Sequence, residues 1–193
     1  MNPIRSLKQD EVDYIVNLHL SSLKEGLLYR MGKDILKIFY TRLLEDKDSF
    51  ILVYELGGKI TGVAAASKYP EKIFRSIKRK NFFKVALSIF RESVKSPSLL
   101  SSVLRSLLSK YSTTNNPELI FLFVDPQYRG KKIGDNLVKE TSKLFRKINA
   151  SQYKITIMST NTRGKQFYER VGFKKSGHYM FLGELRDIYM YKL

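Results

Sequence analysis

The stretch from Leu119 to Ile148 constrains this chain most. A short apolar run, Leu119 to Val124, stops at Asp125-Pro126. A basic turn, Gln127-Tyr128-Arg129-Gly130-Lys131-Lys132-Ile133-Gly134, then passes at once into an amphipathic helix. In that helix Leu137, Val138, Thr141, Leu144 and Phe145 share one face. A strand that feeds a helix in this way needs a sheet to belong to, and the helix needs that sheet to bury its stripe. The economical reading is an α/β chain.

The rest of the sequence extends that reading. Ile4 to Leu7 is a short strand candidate, and Asp10 to Leu23 has helical spacing in Val12, Ile15, Val16 and Leu23. Gly32 opens a second helix, with Ile35, Leu36, Phe39 and Leu43 on its apolar face. The period then shortens. Phe50 to Leu56 and Lys59 to Lys68 read as two strands joined by Gly57-Gly58. Gly62, Ala64, Ala65 and Ala66 in the returning strand imply that another element packs closely over it. After Ile148, Gln152 to Met158 is a strand, Thr162 to Arg170 a short helix, and Phe173 to Leu182 with Leu185 to Leu193 a closing pair of strands.

Tyr69 to Asn116 stands apart. It holds ten basic residues and two acidic ones, and its apolar residues (Ile73, Ile77, Phe83, Leu87, Phe90, then Leu100, Leu104, Leu107) recur at helical spacing around Pro97. It is read as two basic amphipathic helices inserted at about 69–116 into a single domain spanning 1–193. The bland role is a helical cap with solvated lysines. A lid, a dimer contact, a platform on an acidic membrane or a site for an anionic substrate are the functional ones. The whole chain has a formal charge of +17, so polyanionic company is expected: nucleic acid, an acidic membrane or a phosphate-rich small molecule.

Zero cysteines leave no disulfide, thiol nucleophile or zinc-thiolate site, and two histidines are too few for a histidine-rich metal centre, so no metal is expected. No signal peptide is visible in the first residues, and no uncharged run approaches the ~18 residues of a membrane span. A soluble, reducing, cytoplasmic setting is the simplest expectation.

Two segments carry chemistry. The amino terminus of a helix presents unpaired N–H groups and the positive end of the helix dipole, so the turn at Arg129 to Gly134 suits a phosphate. An ordinary strand-to-helix connection fits the same residues. The second segment, Asn161-Thr162-Arg163-Gly164-Lys165-Gln166-Phe167-Tyr168-Glu169-Arg170-Val171-Gly172-Phe173, has Asn161 placed to cap its helix and Gly172 placed to end it. Taken alone, it too reads as a plain strand–helix–strand.

In this order and spacing the two segments resemble the GNAT acetyltransferase superfamily. Val-Asp-Pro-Gln-Tyr-Arg-Gly-Lys-x-Ile-Gly is similar to that family's coenzyme A pyrophosphate loop, and Asn161 to Phe173 to its Asn…Phe-Tyr-Glu-x-x-Gly-Phe segment. The resemblance covers all but the insertion. It implies a mixed, mostly antiparallel central sheet flanked by helices. One departure stands out: Lys132 occupies the place of the loop's first motif glycine.

The resemblance also implies a reaction. An acetyl group passes from acetyl-CoA, the expected cosubstrate, directly to an amine, and Tyr168 matches the tyrosine that protonates the departing thiolate. Leu122, Phe123 and Val124 would offer backbone groups to the pantetheine arm and thioester. Asn161 would bind nearby, and Arg129, Gly130, Lys131, Lys132, Ile133, Gly134 and Asp135 would hold the pyrophosphate. The strand 153–159 lacks the carboxylate that some relatives use as base, which leaves His19, Glu25, Glu118, His178 or a water chain. The expected acceptor is a small-molecule amine, an anionic or nucleotide-linked amino sugar included. Rival readings are a protein N-acetyltransferase and a non-catalytic relative that binds coenzyme A, nucleic acid or a membrane surface. A homo-oligomer is compatible with all of them.

Overall fold

The computed structural model describes residues 3–23, 27–30, 32–80, 116–181 and 184–193. The chain opens with β1 (Ile4–Ser6), a 3-10 turn (Gln9–Glu11) and helix α1 (Val12–Ser22). A four-residue helix, α2 (Leu27–Arg30), precedes α3 (Lys33–Glu45). Sequence spacing anticipated α1 and α3 but not α2; Gly32, at φ 84°, resets the chain between α2 and α3. The hairpin of β2 (Ser49–Leu56) and β3 (Lys59–Ser67) follows, then α4 (Pro70–Lys80). The second half runs β4 (Glu118–Val124), a 3-10 turn (Pro126–Tyr128), α5 (Ile133–Lys147), β5 (Gln152–Met158), α6 (Thr162–Arg170), β6 (Lys174–Phe181) and β7 (Glu184–Lys192).

The strands form one sheet in the order β1-β2-β3-β4-β5-β7-β6. Every pairing is antiparallel except β4 with β5. Such a mixed, mostly antiparallel sheet flanked by helices is the class that the sequence resemblance implied.

Helices cover both faces of the sheet. On one face α1, α3 and α4 bury Ile15, Val16, Leu36, Phe39, Leu43 and Ile73 against Ile51, Val53, Val63 and Phe123. On the other, α5 and α6 bury Leu137, Val138, Phe145 and Tyr168 against Leu52, Ala64, Leu119, Tyr153 and Ile155. β3 is enclosed from both sides, with every residue from Ile60 to Ser67 buried. Its small residues follow from that enclosure. A Cβ on Gly62 would stand 2.7 Å from Ile133 Cγ2 and 3.1 Å from Leu137 Cδ1, so a larger residue would push α5 off the sheet.

Of the basic insertion, α4 belongs to the domain itself, since Ile73 and Ile77 are 2% and 7% exposed. Residues 81–115 lie outside the described residues, and with them the second expected helix and the roles weighed for it. No helix among the described residues is long and apolar enough to cross a membrane.

Candidate active site

The basic turn is held at both ends. Asp125 Oδ1 accepts from the Gln127 amide at 3.0 Å and shapes the 3-10 turn after β4. The Arg129 guanidinium then reaches back, donating to Val124 O at 3.3 Å and to Ser22 O at 3.2 Å, which ties the turn to the end of α1. Gly130 and Lys132 both take left-handed backbone, at φ 83° and 57°. Lys132 is the residue immediately before α5, and glycine reaches this conformation without the ~1–2 kcal/mol that a side chain costs there. The departure noted in the sequence therefore falls on a position where the backbone favours glycine, and this chain holds a lysine in that geometry. The amides that open α5, at Ile133 to Asp135, have no acceptor within the helix and point its positive end at the turn.

Two of the predicted loop residues have other engagements. Asp135 takes a bidentate grip from Arg170 of α6 at 2.6 and 3.1 Å, which holds its carboxyl below the usual range and joins the two helices. Lys131 turns away from the cavity, and its ammonium lies 5.2 Å over the Tyr128 ring.

Beyond this turn the sheet opens. β4 and β5 register at a single pair, Glu118 with Lys154, whereas β3–β4 and β5–β7 register along most of their length. A bulge accompanies the opening. Ala65 faces Phe121 and Ala66 faces Leu119, which leaves Ile120 as the extra residue on β4. A cavity of about 1220 Å³ occupies the gap, with Leu122, Val124, Ile157 and Met158 as its walls. The diverging strand edges offer backbone donors and acceptors to an extended chain that carries amides of its own.

Tyr168 and Asn161 reach the same cavity from α6. Asn161 Oδ1 caps the helix by accepting from the Gly164 amide at 2.8 Å. Tyr168 is 9% exposed and set edge-on to Phe167 and Phe173. Burial pushes its phenol well above the ordinary value, so it is neutral and able to donate across the physiological range.

The far end of the cavity holds the residues weighed as bases. His19 is 1% exposed, with Nδ1 2.7 Å from the Tyr40 hydroxyl and its ring against Phe121 and Phe123. Burial drives its pKa down to about 4. If Tyr40 donates to Nδ1, the other nitrogen carries the hydrogen and no lone pair is left; if Nδ1 donates, Nε2 is free but weakly basic. Neither tautomer makes a strong base. Glu118, 2% exposed, lines the cavity, accepts from Thr156 Oγ1 at 3.0 Å and pairs with the fully buried Lys154 at 3.6 Å. Desolvation lowers the Lys154 pKa, and the Glu118 charge opposes that. His178 is exposed on the edge strand β6 and does not line the cavity. Glu25 lies outside the described residues.

Several wall residues escaped the sequence reading. Tyr29, Phe74, Tyr179, Phe181 and Arg186 all line this far end. The period-2 pattern of the last two strands holds the signal, because Tyr179 and Phe181 alternate on β6 and Tyr179 registers with Arg186 of β7. Only the sheet order shows that this face meets Glu118.

Residues 101–193 match the family described as the acetyltransferase (GNAT) domain. Over these residues the chain resembles the GNAT superfamily of N-acetyltransferases. Among curated GNAT relatives it is similar to a spermidine N(1)-acetyltransferase of Thermoplasma acidophilum, 29% identical over 140 residues, which span 68% of this chain and 84% of the relative. Its fold is shared with a PaiA N-acetyltransferase from the same organism, solved in complex with coenzyme A (TM-score 0.65, 17% identity, 98% of each chain). A Drosophila melanogaster polyamine N-acetyltransferase also shares it (TM-score 0.65, 13% identity, 98% of this chain and 99% of that one).

Proposed function

We propose that this enzyme moves an acetyl group from acetyl-CoA directly to the primary amine of a small molecule. The observation that carries the reading is the parted sheet: one continuous cavity runs from the basic turn, past Tyr168, to a buried carboxylate. The curated relative is named for acetylating spermidine, and one structural neighbour for acetylating polyamines.

Each part of the cavity then has a task. The amides opening α5 hold the pyrophosphate, with Arg129 keeping the turn in place and the Lys132 ammonium adding charge. The edges of β4 and β5 take the pantetheine arm. At the far end Glu118 accepts a proton from the acceptor ammonium, which frees the nitrogen lone pair. The amine attacks the thioester carbonyl, a C–N bond forms, and the tetrahedral oxyanion collapses with cleavage of the C–S bond. The electron pair leaves on sulfur. Tyr168 donates a hydrogen bond and then its proton to that thiolate. The nitrogen sheds its second proton as the amide forms, and that proton returns through solvent to the phenolate. Glu118 releases the first proton to solvent. No thiol nucleophile is needed.

Glu118 is preferred to His19 because its carboxyl lines the cavity and is held in place by Thr156 and Lys154, while His19 is bound to Tyr40. Acetyl-CoA titration calorimetry followed by a thiol-release assay on a panel of amines tests the proposal. Micromolar binding that survives moderate salt, with amine-dependent thiol release, is the expected result. Glu118→Gln should lower kcat by about 10²-fold or more while acetyl-CoA affinity is retained. An unchanged kcat would move the base elsewhere, and absence of acetyl-CoA binding would overturn the assignment.

A further inference from the structure

The acceptor end carries an imbalance of charge that acetyl transfer does not use. Glu118 is matched there by Lys154. Across the cavity Arg186 of β7 and Arg30 of α2 share one carboxylate, Glu184, at 3.3 and 3.5 Å. Among the described residues, one carboxylate between two guanidiniums leaves a positive surplus at this wall. The Arg186 side chain is 16% exposed, and its guanidinium carbon lies 5.3 Å over the Phe181 ring. Its Nε–H is buried and has no hydrogen-bond partner among the described residues. A buried donor left unpaired costs about 1–3 kcal/mol, and native proteins hold few of them. Arg186 also lines the cavity, so a bound molecule is in position to complete it.

We propose that Arg186 binds an anionic group, carboxylate or phosphate, that the acceptor carries at a distance from its reactive amine. This rests on the reading of the cavity's far end as the acceptor site. The acceptor class is then an amine with an anionic far end and an apolar span, the span lying along Phe74, Phe121 and Tyr179. A polyamine fits poorly. Its second ammonium would face Arg186, and Glu184, the carboxylate paired with Arg186 among the described residues, is already shared. The preference differs from the substrate for which the curated relative is named.

The test is a set of amines of equal length and different far-end charge: hexylamine, 6-aminohexanoate, 6-aminohexyl phosphate and 1,6-diaminohexane, assayed by thiol release at saturating acetyl-CoA. Four- and eight-carbon sets bracket the distance between amine and anion. One of the anionic amines should exceed the diamine in kcat/KM by about tenfold or more, the worth of one charged hydrogen bond, with the difference carried by KM. The carboxylate and phosphate arms show which anion is preferred. Arg186→Met should bring the ratio toward one, and Arg186→Lys, which retains the charge, should keep part of it.

A diamine used as well as or better than both anionic amines would overturn the proposal and leave the acceptor site standing. So would a ratio unchanged in a folded Arg186→Met. Acetyl-CoA binding without acetylation of any of these amines would overturn the acceptor reading itself, and Arg186's role with it.

Discussion

The two ends of the cavity are built on opposite plans. At the turn before α5 the useful groups are backbone amides and the residues that shape them, all within Asp125 to Asp135, with Arg129 and Arg170 as struts to α1 and α6. At the acceptor end the useful groups are side chains from α1, α2, α4, β4, β5, β6 and β7, brought together only by the sheet. A ligand shared by a whole family can be held by a local backbone device. A ligand particular to one member needs side chains, and those can be changed one at a time without disturbing the device.

The largest expected effect breaks the chemistry while sparing both ends. Tyr168→Phe should lower kcat by roughly 10²–10⁴-fold and leave acetyl-CoA affinity nearly unchanged, read by steady-state kinetics beside calorimetry. Equal loss of affinity would place Tyr168 in binding rather than proton donation.

Stability separates the two ends next. Lys154→Met leaves Glu118 in the interior without its counter-charge and should cost about 3–5 kcal/mol in urea unfolding. A loss below 1 kcal/mol would mean that Glu118 draws its support from Thr156.

A pH-dependent contrast comes third. His19 is held near pKa 4 in the fold, against 6.5 when exposed, so the unfolded chain binds the extra proton between those values. The native state is favoured fully above about pH 6.5 and loses about 3 kcal/mol as pH falls toward 4. His19→Gln should flatten that part of the stability–pH curve, and an unchanged curve would assign the acid sensitivity to other groups.

The smallest effect sharpens the phosphate end. Lys132→Gly relieves a left-handed side chain worth about 1–2 kcal/mol and removes one positive charge beside the helix amides. The variant should melt a few degrees higher and bind acetyl-CoA with a shallower salt dependence. Weaker binding with an unchanged salt slope would mean that the lysine shapes the turn rather than contacting the phosphates.

Sequence reading reached these ends unequally, for the same physical reason. Leu119 to Ile148 and Asn161 to Phe173 are contiguous, so periodicity, Gly172 and the Asn161 cap were enough to place β4, α5, α6 and the turn between them. The small residues of β3 also announced their close neighbour, which is α5 over Gly62. The left-handed backbone at Lys132 was legible only through the family resemblance, which puts a glycine at that place, because φ at a lysine leaves no mark in composition. The Arg186 wall was not legible. Arg30 and Glu184 are 154 positions apart in the chain, and no local pattern encodes their meeting.

The placement of the insertion has a consequence for how such an enzyme can diversify. β3 and β4 are sheet neighbours, and Ser67 registers with Glu118, so the chain leaves the sheet and returns at adjacent points beside the acceptor end. The cost of closing a loop grows only slowly with its length. An insertion here can therefore be lengthened, shortened or exchanged while the sheet register and the coenzyme turn stay as they are. Grafting residues 81–115 between relatives of this fold, with α4 and its core residues Ile73 and Ile77 kept in place, tests whether acceptor preference can be traded without rebuilding the catalyst.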